Sequence, residues 1–333
     1  MRIVSLLPSA TEILFALGLG DEVIGVSHEC DFPAEARDRR VVIHSRLPHG
    51  LSALEVDTLV REFMARGESL YSVDAAILRE LDPDLVVTQD LCHVCSASPE
   101  DLAAVIRDFE KPPKVLCLNP QNLSDVWRDV MLVAQATSRV AAAEKSLHEI
   151  HERLDALQRQ IEKIGQRPRV AFLEWLEPFY VGGHWVPEMV ALAGGENVFG
   201  RLGTASFRVE MKDVLAAAPD VIVVSPCGYD AEQARKEYGA MAWPREWQAI
   251  PAVANGRVYA FEANSYASRP GPRLSTGVEA LAKIFHPQIV VSDDAARGFQ
   301  KMTERAQTYG AGAAGDLAAP GPELIEGQAG QNQ

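Results

Sequence analysis

The apolar positions change period along the chain, and the longest regular run is helical. Between Asn122 and Gly165, the residues Leu147, Ile150, Leu154, Leu157, Ile161 and Ile164 recur at alternating spacings of three and four. That spacing puts them on one stripe of a helix, which Gly165 and Pro168 end. An unbroken helix from Asn122 to Ile164 would be on the order of 65 Å long, longer than either flanking half should be wide. A break is therefore expected at Thr137-Ser138, separating a helix of the N-terminal half from one that bridges to the C-terminal half. The same six positions also fit the a and d sites of a dimeric coiled coil. Three heptads are short for one and α/β patterns flank both ends, so an intramolecular spine is the preferred reading.

On the N-terminal side, Ile3–Leu7, Val23–Val26, Val41–Ile43, Leu85–Thr88 and Val115–Leu118 read as buried strands. Helices fall between them: one capped by Ser9 or Thr11, with Ile13, Leu14 and Leu17 inward and Gly18-Leu19-Gly20 closing it, then Val56–Ala65 and Ala75–Leu81. After the spine the pattern restarts. Val170–Leu173 is a strand, Pro187–Leu192 a helix stopped by Gly194-Gly195, Arg257–Phe261 a late strand and Thr276–Phe285 a last helix. Glu12-Ile13-Leu14 with Gly18 is echoed by Glu188-Met189-Val190 with Gly194. Leu81-Asp82-Pro83-Asp84-Leu85-Val86-Val87 is echoed by Ala217-Ala218-Pro219-Asp220-Val221-Ile222-Val223. Two echoes in the same order predict two similar lobes, the first holding about forty more residues between its landmarks, placed within His44–Val73.

The expected fold class is α/β: two Rossmann-like lobes with mostly parallel sheets joined by a long bridging helix. The expected division is an N-terminal lobe over 1–121, a connecting helical segment over 122–166, a C-terminal lobe over 167–309 and a disordered Gly, Ala and Pro rich tail over 310–333.

A length of 333 residues is enough for two cores, and 47% hydrophobic with 23% charged residues is ordinary for a soluble globular protein. A net charge of −14 argues against nucleic acid, since phosphate contacts need basic clusters and only short ones such as Arg37–Arg40 occur. Nothing approaches eighteen uninterrupted apolar residues, so no membrane span is expected. Met1-Arg2 leads straight into Ile3–Leu7 and Pro8, too short for a signal h-region and without a cleavage site. The expectation is a cytoplasmic, monomeric protein, periplasmic only if a segment preceded this start. Five cysteines, an odd number, do not form a disulfide framework.

Ligands of open α/β sheets bind outside the carboxyl ends of strands. This selects Pro8-Ser9, Ser27–Asp31, Gln89–Ser96, Glu174–Trp185, Ser225–Tyr229 and Asn264–Arg273. Among these, Cys92-His93-x-Cys95 and His28-x-Cys30 have the make-up of a zinc, iron or other transition-metal site. Small cysteines in loops beside a core are an equal reading, and a redox Cys92/Cys95 pair is a third; Cys117 and Cys227 read as structural. Trp175, Phe179, Tyr180 and Trp185, with His184 between, form a local aromatic density. Phe172 and Phe179 read as core. Trp175 and Trp185 sit beside Glu174, Glu177, Gly182 and Gly183, surroundings that suit stacking on a large flat ligand. Arg269-Pro270-Gly271-Pro272-Arg273 could offer guanidinium donors to a ligand's phosphate or carboxylate, or to a carboxylate of the other lobe; a solvated turn is the bland alternative. No G-x-S-x-G, P-loop, G-x-G-x-x-G after the first strand or H-E-x-x-H occurs, so no catalytic residue is assigned and no enzymatic activity is expected.

Ile3-Val4-Ser5-Leu6-Leu7-Pro8-Ser9-Ala10-Thr11-Glu12-Ile13-Leu14-Phe15-Ala16-Leu17-Gly18 resembles the opening of the substrate-binding proteins of cobalamin and iron-siderophore ABC importers. The resemblance extends through Asp82–Val87, the central helix and Val253-x-Asn255-Gly256-Arg257-Val258-Tyr259, over roughly residues 1–286. It implies two lobes on a rigid helix, small hinge motion and a ligand between the lobes. Phe172-Leu173-Glu174-Trp175, Gly182–Glu188 and Asp90–Cys95 are most similar to the cobalamin-binding branch. The resemblance thus implies non-enzymatic binding of cobalamin or a related corrinoid, with Pro8, Ser9, Glu174, Trp175, Tyr180, His184, Trp185 and Arg269 as ligand contacts. His28, Cys30, Cys92, His93 and Cys95 would hold a metal or the ligand's cobalt. An ABC permease is the partner such a protein implies, although secreted members carry a signal peptide or lipoprotein cysteine and neither is read here. The alternatives are another chelate, such as an iron siderophore or haem, or a cytoplasmic metalloprotein or enzyme using the Cys/His site.

Overall fold

The chain opens with β1 (Ile3–Ser5) and α1 (Pro8–Ala16). There follow β2 (Val23–Ser27), β3 (Arg40–Ser45), α2 (Ala53–Ala65), β4 (Tyr71–Val73), α3 (Ala75–Leu81), β5 (Leu85–Gln89), α4 (Pro99–Ile106) and β6 (Lys114–Leu118). The structure is a computed structural model and describes residues 1–48, 50–90, 99–107 and 109–302. The tail over 310–333 lies outside them. The six strands form one sheet in the order β4-β3-β2-β1-β5-β6, parallel except for β4. Chain order reverses between β1 and β5, which makes the space beyond their carboxyl ends a topological switch point.

Two local starts differ from expectation. Neither Ser9 nor Thr11 caps α1: Leu7 is the N-cap without a side-chain bond, and Pro8 opens the helix, where its missing N–H costs nothing. The Thr11 hydroxyl turns inward and donates to Ser5 Oγ at 2.8 Å. Helix α2 begins earlier than its apolar period indicates because Ser52 and Glu55 form a capping box.

The connector is two helices, α5 (Leu123–Ala136) and α6 (Val140–Glu162). The break falls at the anticipated Thr137-Ser138, where Ser138 takes a left-handed φ of 59° and the Thr137 hydroxyl donates back to Val133 O at 2.8 Å. Helix α6 is about 34 Å long. Its buried stripe is Ala143, Leu147, Ile150, Leu154, Leu157 and Ile161, with Ile164 just past its end and packed against the same core.

The second half runs through β7 (Arg169–Leu176), β8 (Phe179–Val181), α7 (Val186–Leu192), β9 (Glu196–Asn197), β10 (Phe207–Arg208), α8 (Met211–Ala217), β11 (Val221–Val224) and α9 (Ala231–Ala240). It ends with α10 (Pro251–Ala254), β12 (Val258–Phe261), α11 (Ala263–Tyr266), α12 (Leu274–Phe285), α13 (Asp293–Arg297) and β13 (Phe299–Lys301). The sheet order is β10-β8-β7-β11-β12-β13, with β9 also on β7. Its centre, β7-β11-β12, is parallel, and its switch point lies between β7 and β11.

The sequence echo is a structural repeat down to its hydrogen bonds. An arginine at the start of each lobe's first strand, Arg2 just before β1 and Arg169 opening β7, holds the helix end and the Pro-Asp turn. Arg2 donates its backbone N–H to Asp84 Oδ2 at 2.8 Å and its guanidinium to Leu81 O at 2.6 Å. Arg169 donates to Asp220 Oδ2 at 2.9 Å and to Ala217 O at 2.9 Å. Both turns begin on a left-handed residue, Asp82 or Ala218.

Strand alternation then decides the packing. Ile3, Leu85 and Val87 of one sheet, and Val170, Phe172, Val221, Val223, Tyr259 and Phe261 of the other, join the stripe of α6 in one core. The intervening residues face outward into a separate core for each lobe: Val4 and Val86 in the first, Ala171, Leu173, Ile222 and Val224 in the second. Burial on both faces is why these strands read as unbroken apolar runs.

Candidate functional site

Trp175 and Tyr229 flank the switch point of the second sheet. Trp175 lies near the carboxyl end of β7, opposite Tyr180 across the β7–β8 hairpin, and Tyr229 follows β11. Their rings meet edge to face, 5.8 Å between centroids. The Trp175 indole N–H is buried and has no partner among the described residues; the same holds for Ser225 Oγ and Glu237 Oε1. The Tyr229 hydroxyl bonds the Glu237 carboxyl, and burial together with that carboxyl pushes the phenol's pKa up. Burial likewise raises Glu237, with exposed Glu177 adding to the effect. Glu174 accepts from Ser206 Oγ. Polar groups arranged around an aromatic corner, several without partners, are what a ligand's polar edge would complete.

The loop after β8 is held from the other side. Gly183 lies so close to the segment around Thr204–Ser206 that a Cβ there would sit 2.2 Å from Ser206 N. His184 takes a φ of 49°, donates its N–H to Thr204 O at 2.6 Å and stacks on Trp185. Burial lowers the His184 pKa, favouring the neutral imidazole; its Nδ1 is unpartnered among the described residues.

Between the lobes lies a cavity of about 500 Å³. One side is α2, through Leu54, Asp57 and Arg61; the other is the hairpin tip Leu176–Phe179, Arg208–Met211 and Met241–Trp243. Behind it the rings of Phe179, Trp243 and Trp247 lie nearly parallel, Trp243 and Trp247 only 4.1 Å apart. Arg61 pairs with buried Asp57 at 2.7 Å.

The two arginines of the Arg269–Arg273 turn face the other lobe. Arg273 Nε donates to Glu12 Oε2 at 2.8 Å, with a second bond from Nη2 to Glu12 Oε1. Arg269 pairs with Glu12 Oε1 at 3.4 Å and with Asp31 at 2.5 Å, and donates to Glu29 O at 3.1 Å. The Arg273 guanidinium also covers the Phe32 ring, 4.0 Å from its centroid. Of the offered roles, pairing with a carboxylate of the other lobe is the one the geometry displays.

Several anticipated site residues are placed differently. Trp185 is only 5% exposed and donates Nε1–H to Ala267 O at 2.7 Å. It fastens α7 to the segment before α12, which leaves no ring face for a ligand. Ser9 is buried, while Pro8 remains partly exposed. Cys30 is buried, its Sγ lies 3.1 Å from the Thr11 hydroxyl oxygen, and its thiol is pushed up to about 11 by burial, which disfavours the thiolate a metal needs. His28 Nδ1 contacts Ile43 O at 3.1 Å. Among the described residues no group of three or more His, Cys, Asp or Glu is arranged to hold a metal; Cys92, His93 and Cys95 lie outside them. Cys117 and Cys227, read as structural, are exposed. Trp243 and Glu237 were missed, although the spacing of Trp243 and Trp247 around Pro244 was an available aromatic signal.

Two α/β lobes on a stiff helix, with an inter-lobe cavity walled by α2 on one side and by the β7–β8 hairpin tip on the other, are the build of a solute-binding protein. Residues 3–264 match the family described as periplasmic binding protein, and the chain belongs to that family, in its vitamin B12 and siderophore importer branch. It is 26% identical over 291 residues to the vitamin B12-binding protein of Vibrio cholerae, covering 84% of this chain and 87% of the relative. It is 27% identical over 294 residues to the uncharacterized ABC transporter substrate-binding lipoprotein YvrC of Bacillus subtilis, covering 86% and 80%. The structure of the periplasmic heme-binding protein RhuT from Roseiflexus sp. RS-1 superposes with a TM-score of 0.64 at 26% identity, covering 86% of this chain and 98% of that one. Members of this family are solute-binding proteins, not enzymes. The expected cytoplasmic location is corrected by the same comparisons, because periplasmic proteins and a lipoprotein point to work outside the cytoplasm. Among the described residues no helix is long and apolar enough to cross a membrane.

Proposed function

We propose that this chain holds a corrinoid-like metal chelate in the cleft between its lobes and delivers it to an ABC permease. The observation that carries the reading is the Trp175–Tyr229 corner at the switch point, with its unpartnered indole N–H and Glu237 oxygen. A flat macrocycle offers apolar area to the rings and polar substituents to those atoms. Trp175 and Tyr180 supply ring contacts, Glu174 and His184 polar ones, and the inter-lobe cavity takes an edge of the ligand. The identity to a vitamin B12-binding protein along most of both chains supports the same substrate class.

The test is to mix the purified protein with cyanocobalamin, desalt it, and record the visible spectrum and cobalt content. One equivalent of retained corrinoid is expected. Trp175→Ala should weaken binding by about tenfold or more, the loss of one stacked anchor, with the thermal midpoint little changed. Retention of haemin but not of corrinoid would replace this reading by the haem one.

A further inference from the structure

We propose that Glu12 and Glu188 are reciprocal clasps, each lobe's glutamate holding the start of a helix in the other lobe, and that together they fix the angle between the lobes. The inference is independent of which solute the cleft takes. Both residues occupy the same place in the internal repeat. Each stands six positions before a left-handed glycine, Gly18 with φ 73° or Gly194 with φ 82°, and four before the last residue of its helix, Ala16 of α1 or Leu192 of α7. Their partners are equivalent as well. Glu12 crosses to Arg273, the N-cap residue of α12, through two bonds. Glu188 crosses in the opposite direction, where its Oε2 accepts the backbone N–H of Leu123, the first residue of α5, at 2.9 Å. Helix α5 packs on α1 in its own lobe, as α12 packs on α7 in the other.

A single bridging helix sets the spacing of two bodies but leaves them free to turn about it, and the apolar core shared with α6 supplies burial without direction. Hydrogen bonds are directional. Bonds at two points off the spine, involving four different helices, remove that rotation. The Glu12–Arg273 pair is a two-bond fork, the strong form of such a contact, and Arg269 extends it to Asp31 and to Glu29 O. The Glu188 carboxylate lies at the positive end of α5, where a helix favours an anion, and takes an N–H that the helix itself leaves unbonded. Across the inter-lobe cavity the arrangement differs. Among the described residues no hydrogen bond or ion pair joins α2 to the hairpin tip Leu176–Phe179, and Arg61 pairs within its own helix with Asp57. The lobes are thus pinned at the clasps and free at the cavity, so loss of a clasp widens the gap between α2 and the hairpin.

The test reads inter-lobe distances by double electron–electron resonance in the ligand-free protein. Spin labels are carried on p-acetylphenylalanine in place of exposed Glu62 of α2 and exposed Glu246 of the C-terminal lobe, so the natural cysteines stay unlabelled. A control pair at exposed Glu35 and Glu62 lies wholly in the N-terminal lobe. Glu188→Ala opens one clasp. Glu12→Leu with Arg269→Met and Arg273→Met opens the other while leaving no lone buried charge. Each variant should lengthen the mean distance between positions 62 and 246 by roughly 2–5 Å, the scale of a hinge movement, and the combined variant should lengthen it further. The distance between 35 and 62 should stay at its wild-type value. An inter-lobe distance unmoved in all three variants would overturn the proposal and leave the angle to α6 and the shared core. An equal change in the control pair would overturn it as well, because the lobe would then be loosening internally rather than turning as a body. With no solute in the sample, neither outcome touches the corrinoid reading.

Discussion

Glu12→Ala is expected to cost roughly 3–5 kcal/mol of folding stability, seen as a large fall in the urea midpoint. Glu12 is buried within α1, only 4% exposed, and its two oxygens receive both bonds from Arg273 and one from Arg269. Burial pushes its carboxyl upward, and the Arg273 and Arg269 guanidiniums pull against that. Removing the carboxylate strands two poorly solvated cations facing a gap. Asp31 still holds Arg269, so Arg273 bears most of the loss. Replacing the pair together, Glu12→Leu with Arg273→Met, should restore a large part of the stability because no lone charge remains. A Glu12→Ala midpoint equal to wild type would mean that water reaches these guanidiniums and that the inter-lobe pairs are ornamental.

The second large effect concerns Asp129, in the middle of the buried face of α5 between Val126, Val130 and Val133. It is 1% exposed, and neither of its oxygens has a partner among the described residues. Burial, the dominant cause, pushes its pKa up to about 7, with Arg128 lowering it and Asp125 raising it. The native state therefore holds this proton more tightly than the unfolded chain, whose value is about 3.9. The stabilisation is complete below about 3.9 and is withdrawn as pH rises through about 7. Asp129→Asn should accordingly be nearly neutral at pH 4 and stabilising by on the order of 2–4 kcal/mol at pH 8. Urea melts at both values decide it: equal destabilisation at the two would show that the ionised carboxylate has a partner.

Much of the scaffold was legible because its signals are local. The stripe from Leu147 to Ile161, the Thr137-Ser138 break and the two Pro-Asp turns follow from spacing and from residues that stop helices. Missing were elements whose reason lies elsewhere in the fold. Strands β4, β8, β9, β10 and β13 are two or three residues long and exist because a neighbouring strand offers free backbone groups. The site was harder still. Trp175 and Trp185 look alike in sequence, yet Ala267, 82 positions away, takes the N–H of one and nothing among the described residues takes that of the other. Arg269 could be assigned a role only once Glu12 and Asp31, more than two hundred positions distant, had been brought to it.

Because Leu154 and Leu157 of α6 sit in the same apolar cluster as Leu85 of one lobe and Phe261 of the other, each half keeps its outer core to itself but shares the inner one. Melting one lobe would strip cover from the spine and hence from its neighbour, so heat should release both in a single cooperative transition, with calorimetric and van't Hoff enthalpies in agreement. Bound solute would then raise the melting temperature of the whole protein, including regions it never touches.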